Sequence, residues 1–216
     1  MTPLDGAGSE PRPVGSGPVG VALIGAGVIS AQYLTNLTAF PDLKVIGIAD
    51  LDTERATTVA QTFGVPVSGD PFTILAIPEV ELVVNLTIPA AHAAVALTAL
   101  LAGKHVYSEK PLAVYREDGQ ALLDLAASRG LRVGGAPDTF FGGAWQTARK
   151  LIDDGAIGEP VAAFANLHAR ATPRPRPAAA DGYLSFYLTD FFEYGGSWAF
   201  DRGPYYLHAL INLIGP

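Results

Sequence analysis

Short apolar runs alternate with longer amphipathic or Ala-rich stretches through the first part of the chain. Val19–Ile24 is a continuous apolar run that ends in glycines, the pattern of a strand buried on both faces. Val28–Phe40 follows, with Ile29, Tyr33, Leu34 and Leu37 at helical spacing. The alternation then repeats. Lys44–Ala49, Val65–Val67, Leu82–Thr87, His105–Tyr107 and Leu131–Gly134 read as strands, and Thr53–Phe63, Phe72–Ile77, Ala90–Ala102 and Glu117–Arg129 as helices. Strands separated by such helices form βαβ units and a parallel sheet, and this number of strands suits a doubly wound α/β domain.

The pattern changes beyond Ala136. Trp145–Asp154 reads as a helix, Pro160–Ala169 as a longer apolar strand, and Ala171–Ala180, with Pro173, Pro175 and Pro177, as an irregular loop. Gly195 and Gly196 mark a turn, and Pro204–Ile214 reads as a helix with Pro at its first position. The expected organisation is a Gly- and Pro-rich disordered tail over 1–18, a Rossmann-type doubly wound parallel sheet over 19–136, and the start of an incomplete α+β domain over 137–216. The strand at Pro160–Ala169 lacks an obvious partner, and Leu207, Leu210, Ile211 and Leu213 need a surface to cover them. Open edges and large bare apolar faces are rare in monomers. The expectation is therefore a partial sequence, or a second half completed by another chain.

Charge and composition narrow the functional classes. There are 14 Lys and Arg against 21 Asp and Glu, a formal net charge of −7. That balance lacks the basic footprint of a general nucleic-acid binder. The absence of Cys removes disulfides, thiolate metal sites and a Cys nucleophile, and no metal site is expected. Residues 1–18 lack the apolar core of a secretory signal. Leu82–Gly103 carries no Asp, Glu, Lys or Arg and is long enough to cross a bilayer, but Asn85, Pro89 and His92 interrupt it. A buried strand followed by an Ala-rich helix explains it better, so the expected setting is cytoplasmic, with no membrane partner.

Four groups of residues carry candidate chemistry. Gly25-Ala26-Gly27-Val28-Ile29-Ser30 lies between the first strand and the first helix and matches G-x-G-x-x-small. Such glycines permit a tight turn and close backbone approach to a pyrophosphate at the helix N-terminus. The plainer reading is an ordinary Gly-rich turn. Asp50 ends the second strand, where an acid can accept hydrogen bonds from the ribose hydroxyls of NAD and repel the 2′-phosphate of NADP. No Arg follows it directly, since Leu51 and Asp52 come next. Helix capping is the plainer role for an Asp here, and Asp52 suits it better. Glu109-Lys110-Pro111 follows the fifth strand on the side of the sheet that faces a ligand, where a Lys can stabilise an alkoxide or simply be solvated. Asp201, Tyr205 and His208 fall on one face of a helix, as a site or as a packing aromatic and a satisfied histidine.

With these segments in order, the chain resembles the Gfo/Idh/MocA oxidoreductases, named for glucose-fructose oxidoreductase and inositol dehydrogenase. The resemblance rests on GAGVIS with Asp50, NLTIPAAHAAVALTALLAGKHVYSEKPLAV, ARKLIDDGAIGEPVA and GGSWAFDRGPYYLHALINLIGP, and it runs from Val19 to Pro216. It implies an NAD(H)-dependent oxidoreductase, with NADP less favoured, that moves hydride between nicotinamide and a secondary alcohol or aldehyde carbon of a sugar or polyol. It also implies that Lys110 touches substrate and nicotinamide, that Asp201 orients the substrate, and that Tyr205 transfers a proton. His208 stands where many members carry Asp, Asn or Thr. Gly25, Gly27, Val28, Ile29, Asp50, Asn85, Thr87, Pro89, His92 and Glu109 would border the cofactor. Homo-oligomerisation through the second domain is a further expectation. Members are usually longer and build their second domain on a large open sheet, of which one strand is legible here. Two rival readings stand beside this one. They are an inactive dinucleotide-binding module needing a partner chain, and a flavin or nucleotide-sugar protein on the same fold.

Overall fold

In the computed structural model of the chain, residues 17–166 and 198–215 are described. The chain divides into two units between Gly135 and Ala136. The first unit is a parallel sheet flanked by helices. Its strands are β1 (Val19–Ile24), β2 (Leu43–Ala49), β3 (Val67–Gly69), β4 (Leu82–Asn85), β5 (His105–Ser108) and β6 (Val133–Gly135). Its helices are α1 (Val28–Leu37), α2 (Thr53–Phe63), α3 (Pro71–Leu75), α4 (Pro89–Leu101) and α5 (Arg116–Ser128). The strand order is β3-β2-β1-β4-β5-β6, and every pairing is parallel. This is the Rossmann-type doubly wound arrangement, with β1 beside β4 at the point where the winding reverses.

The sheet is central because its strands bury both faces. Along β1, Val21 and Leu23 pack on one side with Leu34, Ile48 and Val84, while Ala22 and Ile24 pack on the other with Val83, Leu100, Val106 and Leu122. Burying side chains such as Leu23, Leu34 and Leu100 stabilises the fold by roughly 1.5–3 kcal/mol each. Local signals set the helix starts. Asp52 caps α2 by accepting the Arg55 N–H at 3.0 Å, as its sequence position suggests. Asp70 caps α3 by accepting the N–H groups of Phe72 and Thr73. Pro89 sits in the first turn of α4, where a missing N–H costs nothing.

Several boundaries differ from the sequence reading. β3 and β6 begin later than the expected Val65 and Leu131. The Val65 N–H donates to Ala60 at 2.9 Å and the Leu131 N–H to Ala126 at 2.9 Å, so both residues close the preceding helix before the strand begins. Helix α1 stops at Leu37 rather than Phe40, because Phe40 precedes Pro41 and a residue in that position is disfavoured in the α conformation.

The second unit contains a short 3₁₀ turn at Thr139–Phe141, α6 (Gly143–Asp153) and α7 (Trp198–Ile214). Helix α7 begins six residues before the expected Pro204, which lies inside it. Pro204 gives up the hydrogen bond to residue 200, but the helix passes through it. The strand expected over Pro160–Ala169 is not formed across residues 160–166. Among the described residues no segment pairs with it, and Val161 and Phe164 are 96% and 90% exposed. Residues 167–169, the Pro-rich loop at 171–180, the Gly195-Gly196 turn and the tail at 1–16 lie outside the described residues. No helix among the described residues is long and apolar enough to cross a membrane.

Candidate functional site

The hydrogen-bond ladder continues past the C-terminal ends of the strands. The Asp50 N–H donates to Gly69 at 3.1 Å, Gly25 to Ala49 at 2.8 Å, Leu86 to Ile24 at 2.8 Å, and Glu109 to Asn85 at 2.9 Å. These bonds hold four loops side by side along one edge, in the order Asp50, Gly25–Gly27, Leu86–Thr87, Glu109–Lys110. In open α/β sheets a ligand lies along this edge, at the strand-order reversal between β1 and β4.

The two glycines of the first loop have different reasons to be glycine. Gly25 has φ +107°, and a Cβ there would sit 2.6 Å from the Leu86 carbonyl carbon and oxygen. The protein itself forbids a side chain at that position. Gly27, the N-cap of α1, has φ −73°, and a Cβ there would meet no atom of the described residues within 4 Å. Among the described residues, nothing accounts for a glycine at that point. Open space over a helix N-terminus is what the approach of a pyrophosphate requires, so the residues present fit a dinucleotide. Ser30 takes the place of a third glycine. It is buried, and its hydroxyl donates to the Gly27 carbonyl at 2.6 Å, which turns it back onto the helix. Val28 and Ile29 are exposed at the start of α1.

Asp50 ties the first loop to α2. Its Oδ2 accepts the Ala26 N–H at 2.7 Å, and its Oδ1 accepts the Asp52 N–H at 3.0 Å and an Arg55 Nη2–H at 2.7 Å. Burial pushes the Asp50 carboxyl up, but the Arg55 guanidinium and the two backbone donors outweigh it and hold the group below the usual carboxylate range. No Arg follows Asp50 directly in the chain. The structure supplies one from the first turn of α2.

Beyond β4, the buried Asn85 shapes the turn. Its amide donates to the His92 carbonyl at 2.9 Å and its Oδ1 accepts the Thr87 hydroxyl at 2.7 Å. His92 is 1% exposed, and its ring nitrogens lie 2.6 Å from the Pro111 carbonyl and 2.9 Å from the Thr87 carbonyl. The ring thus bridges the loops after β4 and β5 from within, while Thr87 and Pro89 are half-buried. Burial drives the His92 pKa down; the two carbonyls favour a proton, but the imidazole remains below its ordinary 6.5. Glu109 accepts the Tyr33 hydroxyl at 2.8 Å through Oε1 and the Lys110 N–H at 3.0 Å through Oε2. The Lys110–Pro111 bond is cis. Tyr33 reads in the sequence as part of an apolar helix face, and only its hydroxyl hints at this polar role.

In the second unit, Asp201, Tyr205 and His208 all lie on α7 and share one face of it. Asp201 is buried and pairs with Arg202 at 3.1 Å, Tyr205 is half-buried, and His208 is exposed and stacks on Phe140 with ring centroids 6.2 Å apart. Arg149 on α6 donates to the Asn212 and Leu213 carbonyls at 3.0 and 2.7 Å, which secures the C-terminal end of α7. Among the described residues, no cluster of His, Asp and Glu could hold a metal ion.

A doubly wound sheet with a bare glycine over the first helix and an acid after the second strand defines a dinucleotide-binding Rossmann protein. Residues 19–136 match the family model described as an oxidoreductase family with an NAD-binding Rossmann fold. The chain belongs to the Gfo/Idh/MocA oxidoreductase family. It is 32% identical over 181 residues to a dTDP-3,4-didehydro-2,6-dideoxy-alpha-D-glucose 3-reductase of Streptomyces antibioticus, covering 83% of this chain and 52% of that one. It is 29% identical to a scyllo-inositol 2-dehydrogenase (NAD(+)) of Bacillus subtilis, covering 65% and 42%. Among solved structures, a 3-ketoreductase from Actinomadura kijaniata, in complex with NADP and TDP-benzene, matches with a TM-score of 0.60 and 33% identity, over 66% of this chain and 44% of that one. The chain spans about half the length of the curated relatives it matches.

Two outcomes test the geometry. Gly25→Ala should destabilise the first unit by about 1–3 kcal/mol or more, because it adds a clash to an unfavourable φ. Gly27→Ala should leave the urea midpoint almost unchanged. A reversed order would show that the open space belongs at Gly25. The buried His92 makes stability pH-dependent. Its folded pKa lies below the unfolded value, so its contribution is complete above about pH 6.5 and is lost as the pH falls through the folded pKa. Urea denaturation from about pH 7 to pH 5 should show a steeper decline for wild type than for His92→Gln. Equal slopes would mean that the imidazole does not titrate differently in the fold.

Proposed function

We propose that the protein is an NAD(H)-dependent oxidoreductase acting on a secondary alcohol or carbonyl carbon of a sugar or polyol. The observation that carries the reading is the row of loops along the sheet edge, with Asp50 at one end, the open Gly27 turn in the middle and Lys110 at the other end. Family membership supports it. So do the relatives, which are named as a sugar-nucleotide reductase and an inositol dehydrogenase.

In this reading Asp50 accepts hydrogen bonds from the adenosine ribose, and the N–H groups at the start of α1 receive the pyrophosphate. Thr87, Pro89 and Glu109 border the nicotinamide half, with Asn85, His92 and Tyr33 holding their loops. The bound nicotinamide supplies the hydride acceptor or donor. Lys110 binds the substrate oxygen and stabilises negative charge as it develops there. Tyr205 exchanges the hydroxyl proton, Asp201 orients the substrate, and His208 is the alternative proton group on the same helix face. The reading places the protein in the cytoplasm and includes a homo-oligomer formed through the second unit, which sedimentation would test. The alternative reading is a module that binds the dinucleotide but does not turn over.

A panel of sugars, polyols and nucleotide sugars assayed for NADH formation separates the two. In the enzyme reading, Lys110→Ala and Tyr205→Phe each lower kcat by about 10²–10⁴-fold with NAD affinity nearly unchanged, while His208→Ala has a small effect. Unchanged kcat in Tyr205→Phe would pass the proton role to His208 or water. NAD binding without turnover of any panel member would select the binding-module reading.

A further inference from the structure

We propose that Tyr33 is a positioning residue for Lys110: acting through Glu109, its hydroxyl holds the Lys110 backbone where the hydride step needs it. The inference rests on the enzyme reading above and deepens it, since it concerns how that Lys is held rather than what it does.

The ring and the hydroxyl of Tyr33 have separate roles. The ring packs against the apolar cluster that contains Leu34, Ile48 and Val84, a place that a Phe would fill equally well. The hydroxyl instead donates to Glu109 Oε1 at 2.8 Å, across 76 positions of sequence. The other oxygen of the same carboxylate, Oε2, accepts the Lys110 N–H at 3.0 Å. One carboxylate thus takes a phenol on one side and the amide of Lys110 on the other. The Glu109 backbone is fixed to the sheet by its N–H, which donates to the Asn85 carbonyl at 2.9 Å. Its long side chain is rotamer-rich, and the phenol tethers the far end so that Oε2 stays on the Lys110 N–H. Tyr33 lies on α1, so the tie runs from the helix that receives the pyrophosphate in this reading to the loop that carries the Lys. Misplacing a reacting group by about 1 Å costs on the order of 10²-fold in rate. NAD is held along the Asp50 and Gly27 loops as well, so loss of the hydroxyl falls on the rate and not on cofactor affinity.

The test compares wild type, Tyr33→Phe and Tyr33→Leu in the full 216-residue chain. Amide hydrogen exchange reads the tie without any substrate. In Tyr33→Phe the Lys110 amide should exchange about tenfold faster or more, while the Leu34 and Val84 amides keep their protection. Tyr33→Leu should speed Lys110 to the same degree and also lower the melting temperature, because it removes the ring as well. With whichever panel member is turned over, Tyr33→Phe should lower kcat about tenfold or more, with NAD affinity changed less than about threefold. In a Glu109→Ala background, adding Tyr33→Phe should change either readout by less than about twofold. Unchanged Lys110 exchange in Tyr33→Phe, an equal rise at Lys110, Leu34 and Val84, or a wild-type kcat would overturn the proposal and leave Tyr33 as a packing residue. A folded wild type that turns over no panel member would instead overturn the enzyme reading, and exchange at Lys110 would still decide whether Tyr33 holds it.

Discussion

Gly25 brings the backbone of the first loop against the Leu86 carbonyl, at a distance no side chain can enter. The site as described depends on this close approach. It lets the ladder run one residue past β1 and β4, so the loops leave the sheet side by side before they diverge to opposite faces. The same extension repeats at β2 and β5, which places Asp50 and Glu109 in one line with the glycine turn. Side-chain ties then cross between neighbouring loops. Asp50 reaches the Ala26 N–H, Tyr33 reaches Glu109, and the His92 ring spans the carbonyls of Thr87 and Pro111. Each tie joins elements distant in sequence, so the edge is held ready before a ligand arrives. Such preorganisation lowers the ordering cost of binding.

The alternation of strands and helices in the first unit was legible because fully buried strands have no polar face to hide the signal. Boundaries were less so, and the errors at Val65 and Leu131 share one cause. An apolar residue that closes a helix by donating to Ala60 or Ala126 looks the same, in a one-dimensional pattern, as one that opens a strand. Pro204 misled in a related way. It has the profile of a first helical residue, yet Trp198–Gly203 already forms helix before it. The apolar run after Pro160 has strand composition but no ladder over residues 160–166, because a strand is a property of a pair.

The glycine motif, Asp50 and the Glu109–Lys110–Pro111 segment were visible as residue types at the right places. Their supports were not. Tyr33 sits at helical spacing among apolar residues, and Arg55 lies within a helix whose polar face looks ordinary. Tyr33 gains its polar role through one long-range hydrogen bond, to Glu109, and Arg55 ties to Asp50, five positions before it. Arg149 is similar: its contacts with the end of α7 span more than sixty positions of sequence, which local pattern does not encode. In the second unit the helical spacing of Asp201, Tyr205 and His208 was readable, but their unequal burial was not.

The central claim is that one edge of the sheet, across β2, β1, β4 and β5, forms a continuous dinucleotide site. Amide chemical-shift mapping during titration with NAD tests it most directly, because it reports location as well as binding. The account predicts saturable shifts at Ala26, Gly27, Val28, Asp50, Thr87, Glu109 and Lys110. It predicts little change at Gly20, Lys44, Lys104 and His105, which lie toward the opposite ends of the same strands. Shifts concentrated at that opposite edge, or none in a folded protein saturated with NAD, would contradict it.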